Sequence, residues 1–193
     1  MSKAKKRSYS QRFNELMLTF FYCGKSVIAP GTVGTIGATF LWIYLNNYFI
    51  EENLDATLRR GFWLLTIALF TLYAIQQIPH YYILKNQKNI DHKSIVIDEA
   101  VGIFIALEIF YFWGQEIYEL YQGRFIIYVI FCFVIFRILD ITKPSIIGMC
   151  DKKIKTPLGV MLDDILCGII SGIATVLLYN YTLNSSFFEL VHC

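Results

Sequence analysis

Two adjacent acidic pairs, Asp98-Glu99 and Asp163-Asp164, occur where the neighbouring residues are almost all apolar. The second lies within Leu158-Gly159-Val160-Met161-Leu162-Asp163-Asp164-Ile165-Leu166-Cys167. A carboxylate at the centre of a membrane-crossing helix costs about 2.5–3.5 kcal/mol on insertion scales, and less near the interface. Adjacent carboxylates also repel and raise each other's pKa unless a cation intervenes. A divalent ion is the simplest remedy, and hard oxygen ligands suit magnesium. The ordinary alternative is a helix start, where acids meet the positive end of the dipole and face water. Asp98-Glu99 alone fits that alternative better. Beside a second acidic pair it becomes a candidate second set of ligands.

A third cluster holds Arg137, Asp140, Lys143-Pro144 and Asp151. Asp140 and Lys143 are one helical turn apart, and Pro144 ends or kinks the helix there. They read either as a surface salt bridge or as one metal ligand and one ammonium that holds phosphate. The fourth cluster is Ala29-Pro30-Gly31-Thr32-Val33-Gly34-Thr35-Ile36-Gly37. It is not a Walker loop, because no Gly-Lys-Ser/Thr follows at the required spacing. Small residues such as Gly31 and Gly34 let a backbone come close, and free amides at a helix start favour phosphate. Thr32 and Thr35 could add hydroxyls; a tight helix contact is the equally ordinary alternative. Asp164, Gly168 and Gly172 fall on one helical face, and the Gly168-x-x-x-Gly172 pattern reads as packing. His80, His92 and His192 are isolated and read as loop or surface residues, with His92 nearest an acidic cluster. The five cysteines (Cys23, Cys132, Cys150, Cys167, Cys193) form no CxxC pair and read as reduced apolar fillers.

These residues need elements to carry them. The chain has 193 residues, 56% hydrophobic and 17% aromatic, with mean hydropathy +0.51, which argues for one domain partly dissolved in lipid. A net charge of +2 gives no sign of a nucleic-acid partner. The candidate embedded helices are Ile36–Ile50, Gly61–Pro79, Ala100–Trp113, Arg124–Leu139 and Gly159–Tyr181. Only the second and fifth comfortably reach the roughly 20 apolar residues that a spanning helix wants. The expected fold is therefore all-α: a multi-helix integral membrane bundle of three to five spans. Residues 1–23 form a basic segment with an interfacial helix, 24–181 the membrane domain, and 182–193 a tail. No cleavable signal peptide is apparent.

Loop charge orients this bundle. Lys3, Lys5, Lys6, Arg7 and Arg12 precede it; Lys85, Lys88 and Lys93 lie in one connection, and Lys143, Lys152, Lys153 and Lys155 in another. With five spans these all fall on one side, whereas Glu51, Glu52, Asp55, Arg59, Arg60, Glu116, Glu119 and Glu189 fall on the other. That is the positive-inside pattern, and it brings all four clusters to the cytoplasmic interface.

In order, Ala29–Thr35, Ile95–Gly102, Phe136–Pro144 and Gly159–Gly168 resemble the phosphatidylglycerophosphatase A family, over most of residues 24–175. The resemblance implies a magnesium-dependent phosphatase of the bacterial inner membrane that converts phosphatidylglycerophosphate to phosphatidylglycerol. It implies a cytoplasmic-facing site and a lipid partner. Ala100 and Cys167 depart slightly, standing where a larger aliphatic and an alanine are expected. Signatures of other phosphatase classes are absent: no Asp-x-Asp-x-Thr loop, no cysteine with arginine six residues on, no Pro-Ser-Gly-His, and no Asp-Gly-x-x-Ala-Arg.

The expected chemistry places Asp98, Glu99, Asp163 and Asp164, with Asp140, around one or two magnesium ions. Lys143 and Arg137 would meet the phosphate oxygens that carry transition-state charge. Two other classes fit parts of the pattern. An ion-coupled carrier would use embedded acids near mid-membrane, and a non-enzymatic scaffold would use the GxxxG contact.

Overall fold

The computed structural model describes residues 8–85, 94–120, 122–144 and 156–191, with side chains described at 8–81, 94–113, 125–144 and 156–182. Lys3, Lys5, Lys6, Arg7, Lys88, His92, Lys93, Cys150, Asp151, Lys152, Lys153, Lys155, His192 and Cys193 lie outside the described residues. So do the side chains of Lys85, Glu116, Glu119 and Glu189. Six α-helices account for nearly all of the described chain: α1 Tyr9–Leu18, α2 Pro30–Glu51, α3 Ala56–Lys85, α4 Ile97–Leu120, α5 Gln122–Thr142 and α6 Pro157–Val191. A 3-10 turn, Cys23–Lys25, precedes α2.

Local chemistry sets the helix boundaries. Ser8 and Gln11 close a capping box on α1. Pro30 opens α2 at the one place where its missing N–H costs nothing. The Thr57 amide donates to Asp55 Oδ2 (2.8 Å) at the start of α3. Lys143 turns left-handed (φ 40°) and, with Pro144, ends α5 at Thr142. Pro79 does not end α3, which runs on to Lys85. Proline removes one backbone bond, and the bonds on either side carry the helix through. The last helix likewise passes residue 181 without a break.

α4 is the axis of the bundle. Ala100, Val101, Ile103, Phe104, Ala106, Leu107 and Phe110 are all fully buried, and α2, α3, α5 and α6 pack around them. Its acids therefore face protein, which is why a helix with Asp98, Glu99 and Glu108 survives in this fold. Three helices are long and apolar enough to cross a membrane: Ala56–Tyr81, Phe125–Thr142 and Pro157–Thr182. α3 exposes Leu65, Leu69 and Leu72, and α5 exposes Ile127, Ile130, Phe131 and Val134. On α2, Ile36, Phe40, Tyr44 and Tyr48 make an exposed stripe at four-residue spacing. Such continuous apolar faces belong against lipid, and the chain is a multi-helix membrane bundle.

α4 and α6 run parallel and nearly touch. A Cβ at Gly168 would strike the Gly102 carbonyl, and one at Gly172 would lie 2.8 Å from the Ala106 carbonyl. A Cβ at Gly102 would come within 2.6 Å of the Asp164 carbonyl. The GxxxG pattern is thus a packing surface, as its spacing suggests. α1 docks on α3, where Asn14 Nδ2 donates to Gln77 Oε1 and Tyr73 donates to Asn14 Oδ1, both at 2.7 Å.

Candidate active site

The parallel α4–α6 contact decides where the acids go. Asp98, Gly102 and Ala106 are spaced by four on α4, as Asp164, Gly168 and Gly172 are on α6. When the small residues of the two stripes meet, the carboxylates at their N-terminal ends are brought together. α5, running the other way, ends at the same place and delivers Arg137, Asp140 and Lys143. α2 begins there, with Gly31 so close to Glu99 that a Cβ would occupy the space of its carboxylate.

A cavity of about 310 Å³ results, lined by Ala29, Pro30, Gly31, Ile95, Asp98, Glu99, Arg137, Asp140, Lys143, Val160, Asp163 and Asp164. All six residues expected to be catalytic meet in it. Arg137 and Gly31 line it too. Thr32, Gly34 and Thr35 do not. Gly34 packs on Val96, where a Cβ would lie 2.8 Å from the valine side chain. Thr35 is fully buried behind the cavity, donates to the Gly31 carbonyl (2.9 Å) and accepts from Arg137 Nη1 (3.2 Å). Sequence reading missed Ile95 and Val160, since an aliphatic residue in an apolar run carries no signal. Ala29 belongs to the glycine–threonine run already singled out; in the structure it precedes a proline yet is left-handed (φ 47°), a costly conformation also adopted by Lys143 before Pro144.

Ion pairs hold the polar wall. Arg137 Nη1 lies 2.6 Å from Asp140 Oδ2 and 3.4 Å from Glu99 Oε1, joining α4 to α5 with Thr35 of α2 behind. Lys143 donates to Asp163 Oδ2 across from α5 to α6. The Glu99 amide donates to Asp98 Oδ1 (3.0 Å). Among the described residues, five carboxylates thus share the cavity with two cations, leaving three negative charges in excess if all ionise. The buried oxygens Glu99 Oε2 and Asp164 Oδ1 accept no hydrogen bond from the described residues. A buried acceptor left without a donor costs about 1–3 kcal/mol, more when charged. Hard, anionic oxygens with unused lone pairs are the donor set that a divalent cation such as magnesium takes. Among the described residues, no three acidic, histidine or cysteine side chains already converge at ligating distance. The donor types and charge fit the ion, while the final approach of the ligands is not preformed. The described cysteines, Cys23, Cys132 and Cys167, are free, in keeping with their reading as fillers.

Fold and cavity together define a helical membrane protein with an acidic site that also carries two basic side chains. Residues 16–179 match the family described as Phosphatidylglycerophosphatase A, and the chain belongs to that family. It is a phosphatase, so the scaffold and carrier readings fall away. Two similar proteins carry the name phosphatidylglycerophosphatase A. The Escherichia coli protein is 31% identical, over 81% of this chain and 78% of its own. The Haemophilus influenzae protein is 29% identical, over 80% and 82%. A Bacteroides thetaiotaomicron protein provisionally named phosphatidylinositol-3-phosphatase is 35% identical, over 82% of this chain and 88% of its own. No solved structure matches the chain.

Proposed function

We propose that this phosphatase removes the terminal phosphate of phosphatidylglycerophosphate at the cytoplasmic face of a bacterial inner membrane, with magnesium held by its gathered carboxylates. The single observation that carries the reading is the cavity in which Asp98, Glu99, Asp140, Asp163 and Asp164 outnumber Arg137 and Lys143. An all-protein cavity with that charge excess would repel a phosphomonoester dianion. A divalent cation, when bound there, would reverse the sign, offset the phosphate charge and supply an activated water. Asp98, Glu99, Asp163 and Asp164, with Asp140 beside them, would hold it.

Each polar residue then has a task. Lys143, the more exposed of the two cations, can leave Asp163 and place its ammonium against the phosphate oxygens. Arg137 is already committed to Asp140, Glu99 and Thr35, so its first duty is to fix those groups. A carboxylate not engaged by the cation is the general base that takes the proton of the attacking water. Ile95, Val160 and Pro30 form the drier wall, which limits competing water. The diacyl tails stay in lipid, because only a headgroup must enter the cavity. The basic residues flanking the cluster-bearing ends support a cytoplasmic orientation.

The test is phosphate release by purified protein from a panel of phospholipids with phosphomonoester headgroups, with and without a chelator. Phosphatidylglycerophosphate, phosphatidic acid and phosphatidylinositol 3-phosphate belong in the panel, the last because of the Bacteroides relative's name. Preferred release from phosphatidylglycerophosphate, lost with chelator and restored by magnesium, is the expected result. Undiminished release in chelator would overturn the cation's role, and preference for another headgroup would reassign the substrate.

A further inference from the structure

The segment between α1 and α2 is built in an unusual way. Phe20, Phe21 and Tyr22 are three successive left-handed residues (φ 43°, 54° and 67°), and Ala29 is a fourth (φ 47°). L-residues with a Cβ avoid that region, so a run of three aromatic ones must be imposed by the surrounding packing. The packing is visible. Phe20 is buried against Phe70 and Phe104, Gly24 is pressed onto the Ser94 carbonyl, and Lys25 pairs with Glu15 at 3.1 Å. Ser26 donates to the Ile28 carbonyl (2.9 Å) and closes the turn.

This anchored elbow holds apolar groups outward. Val27 is 99% exposed and Ile28 80%, with Phe21 and Tyr22 about half exposed. In water such an arrangement wastes apolar area, and a fold that only had to reach Pro30 could bury those side chains. The next two residues, Ala29 and Pro30, line the polar cavity. Leu158 of α6 and Ile141 of α5 are also exposed, each within two residues of a lining position. These exposed apolar groups are of the same kind as those on the lipid-facing surfaces of α2, α3 and α5.

We infer that residues 20–28 form a membrane-inserted wedge whose Val27 and Ile28 enter the acyl region of the leaflet beside the cavity, seating its mouth at headgroup depth and guiding substrate tails past it. The inference rests on the lipid-phosphatase reading for its consequence but not for its geometry. Aromatic residues at the base suit the interfacial layer, and branched aliphatics at the tip suit hydrocarbon. Neither Val27 nor Ile28 touches the cavity, so their loss would affect delivery rather than the reaction.

Two measurements test it. In the first, full-length Ile28→Trp protein is reconstituted in phosphatidylglycerol–phosphatidylethanolamine vesicles containing lipids brominated near the headgroup end of the acyl chain. The fluorescence added over the parent protein should fall by at least half; an unquenched signal would overturn the wedge. In the second, Val27→Ser/Ile28→Ser protein is compared on long-chain phosphatidylglycerophosphate in vesicles and on a water-soluble dihexanoyl analogue. Vesicle turnover should drop at least fivefold while the soluble analogue is hydrolysed within twofold of the parent. Equal loss on both substrates, or no loss on vesicles, would overturn the delivery role. If the parent protein releases no phosphate from either lipid, the functional reading fails, yet quenching still decides insertion.

Discussion

Helix α4 carries acids at its start and again at its middle, and they are treated differently. At its start, Asp98 and Glu99 join Asp140, Asp163 and Asp164 in a cavity where Glu99 Oε2 and Asp164 Oδ1 find no donor among the described residues. Nearly three turns later, Glu108 accepts a hydrogen bond from Trp42 Nε1 at 2.7 Å. It also lies within electrostatic reach of Arg59 and Arg60, and Arg59 donates to Tyr111 at 2.6 Å. One acid is matched to protein partners and the others are left in excess. A buried charge with a committed partner serves the fold, whereas a group of buried acids with unused lone pairs awaits something the described residues do not supply. Acidity inside a membrane protein is therefore not by itself a sign of a site; the balance of donors decides.

That contrast can be broken by mutation. Asp164→Asn should reduce phosphate release from the lipid substrate by about 10²-fold or more, the scale seen when one charge-stabilising group is removed from an active site. It should not lower the thermal unfolding midpoint in detergent, because it removes repulsion and an unsatisfied charge. A lowered midpoint with activity intact would place Asp164 in the same class as Glu108. Gly168→Val probes how the pairs are brought together. Overpacking the Gly102 contact should cost about 1–3 kcal/mol of stability and, by parting α4 from α6, at least tenfold in activity. Full activity in a destabilised variant would show that the acids do not need this contact. Glu108→Gln is the mildest change. An amide still accepts from Trp42, so activity should stay within about twofold and stability within about 1 kcal/mol, the net scale of one hydrogen bond. A large activity loss there would erase the distinction between the two positions.

Much of this was legible in advance. The acidic pairs announced themselves because charge in an apolar run is expensive, and Asp140 and Lys143 because a helix stop follows them. Gly168 and Gly172 signalled a close helix contact through spacing alone. The glycine–threonine run was only partly readable. Gly31 reaches the cavity, but Gly34 packs on Val96 and Thr35 props Arg137 from behind. Small residues near a helix start serve either a ligand or a neighbour, and local pattern does not separate the two. Arg137 shows the same limit. Its charge suggested phosphate, whereas its guanidinium is taken up by Asp140, Glu99 and Thr35, residues from three helices.

Residue chemistry alone determined that this chain would be helical, would lie in lipid, and would need to compensate several buried acids, because transfer costs act on each side chain wherever its neighbours come from. Tertiary structure alone decided which acid gets which partner. The parallel register of α4 on α6, set by contacts between glycines, brings Asp98 and Asp164 to one cavity and leaves Glu108 with Trp42. Pairing energies fall off over a few ångströms, and those distances arise only when separate helices meet.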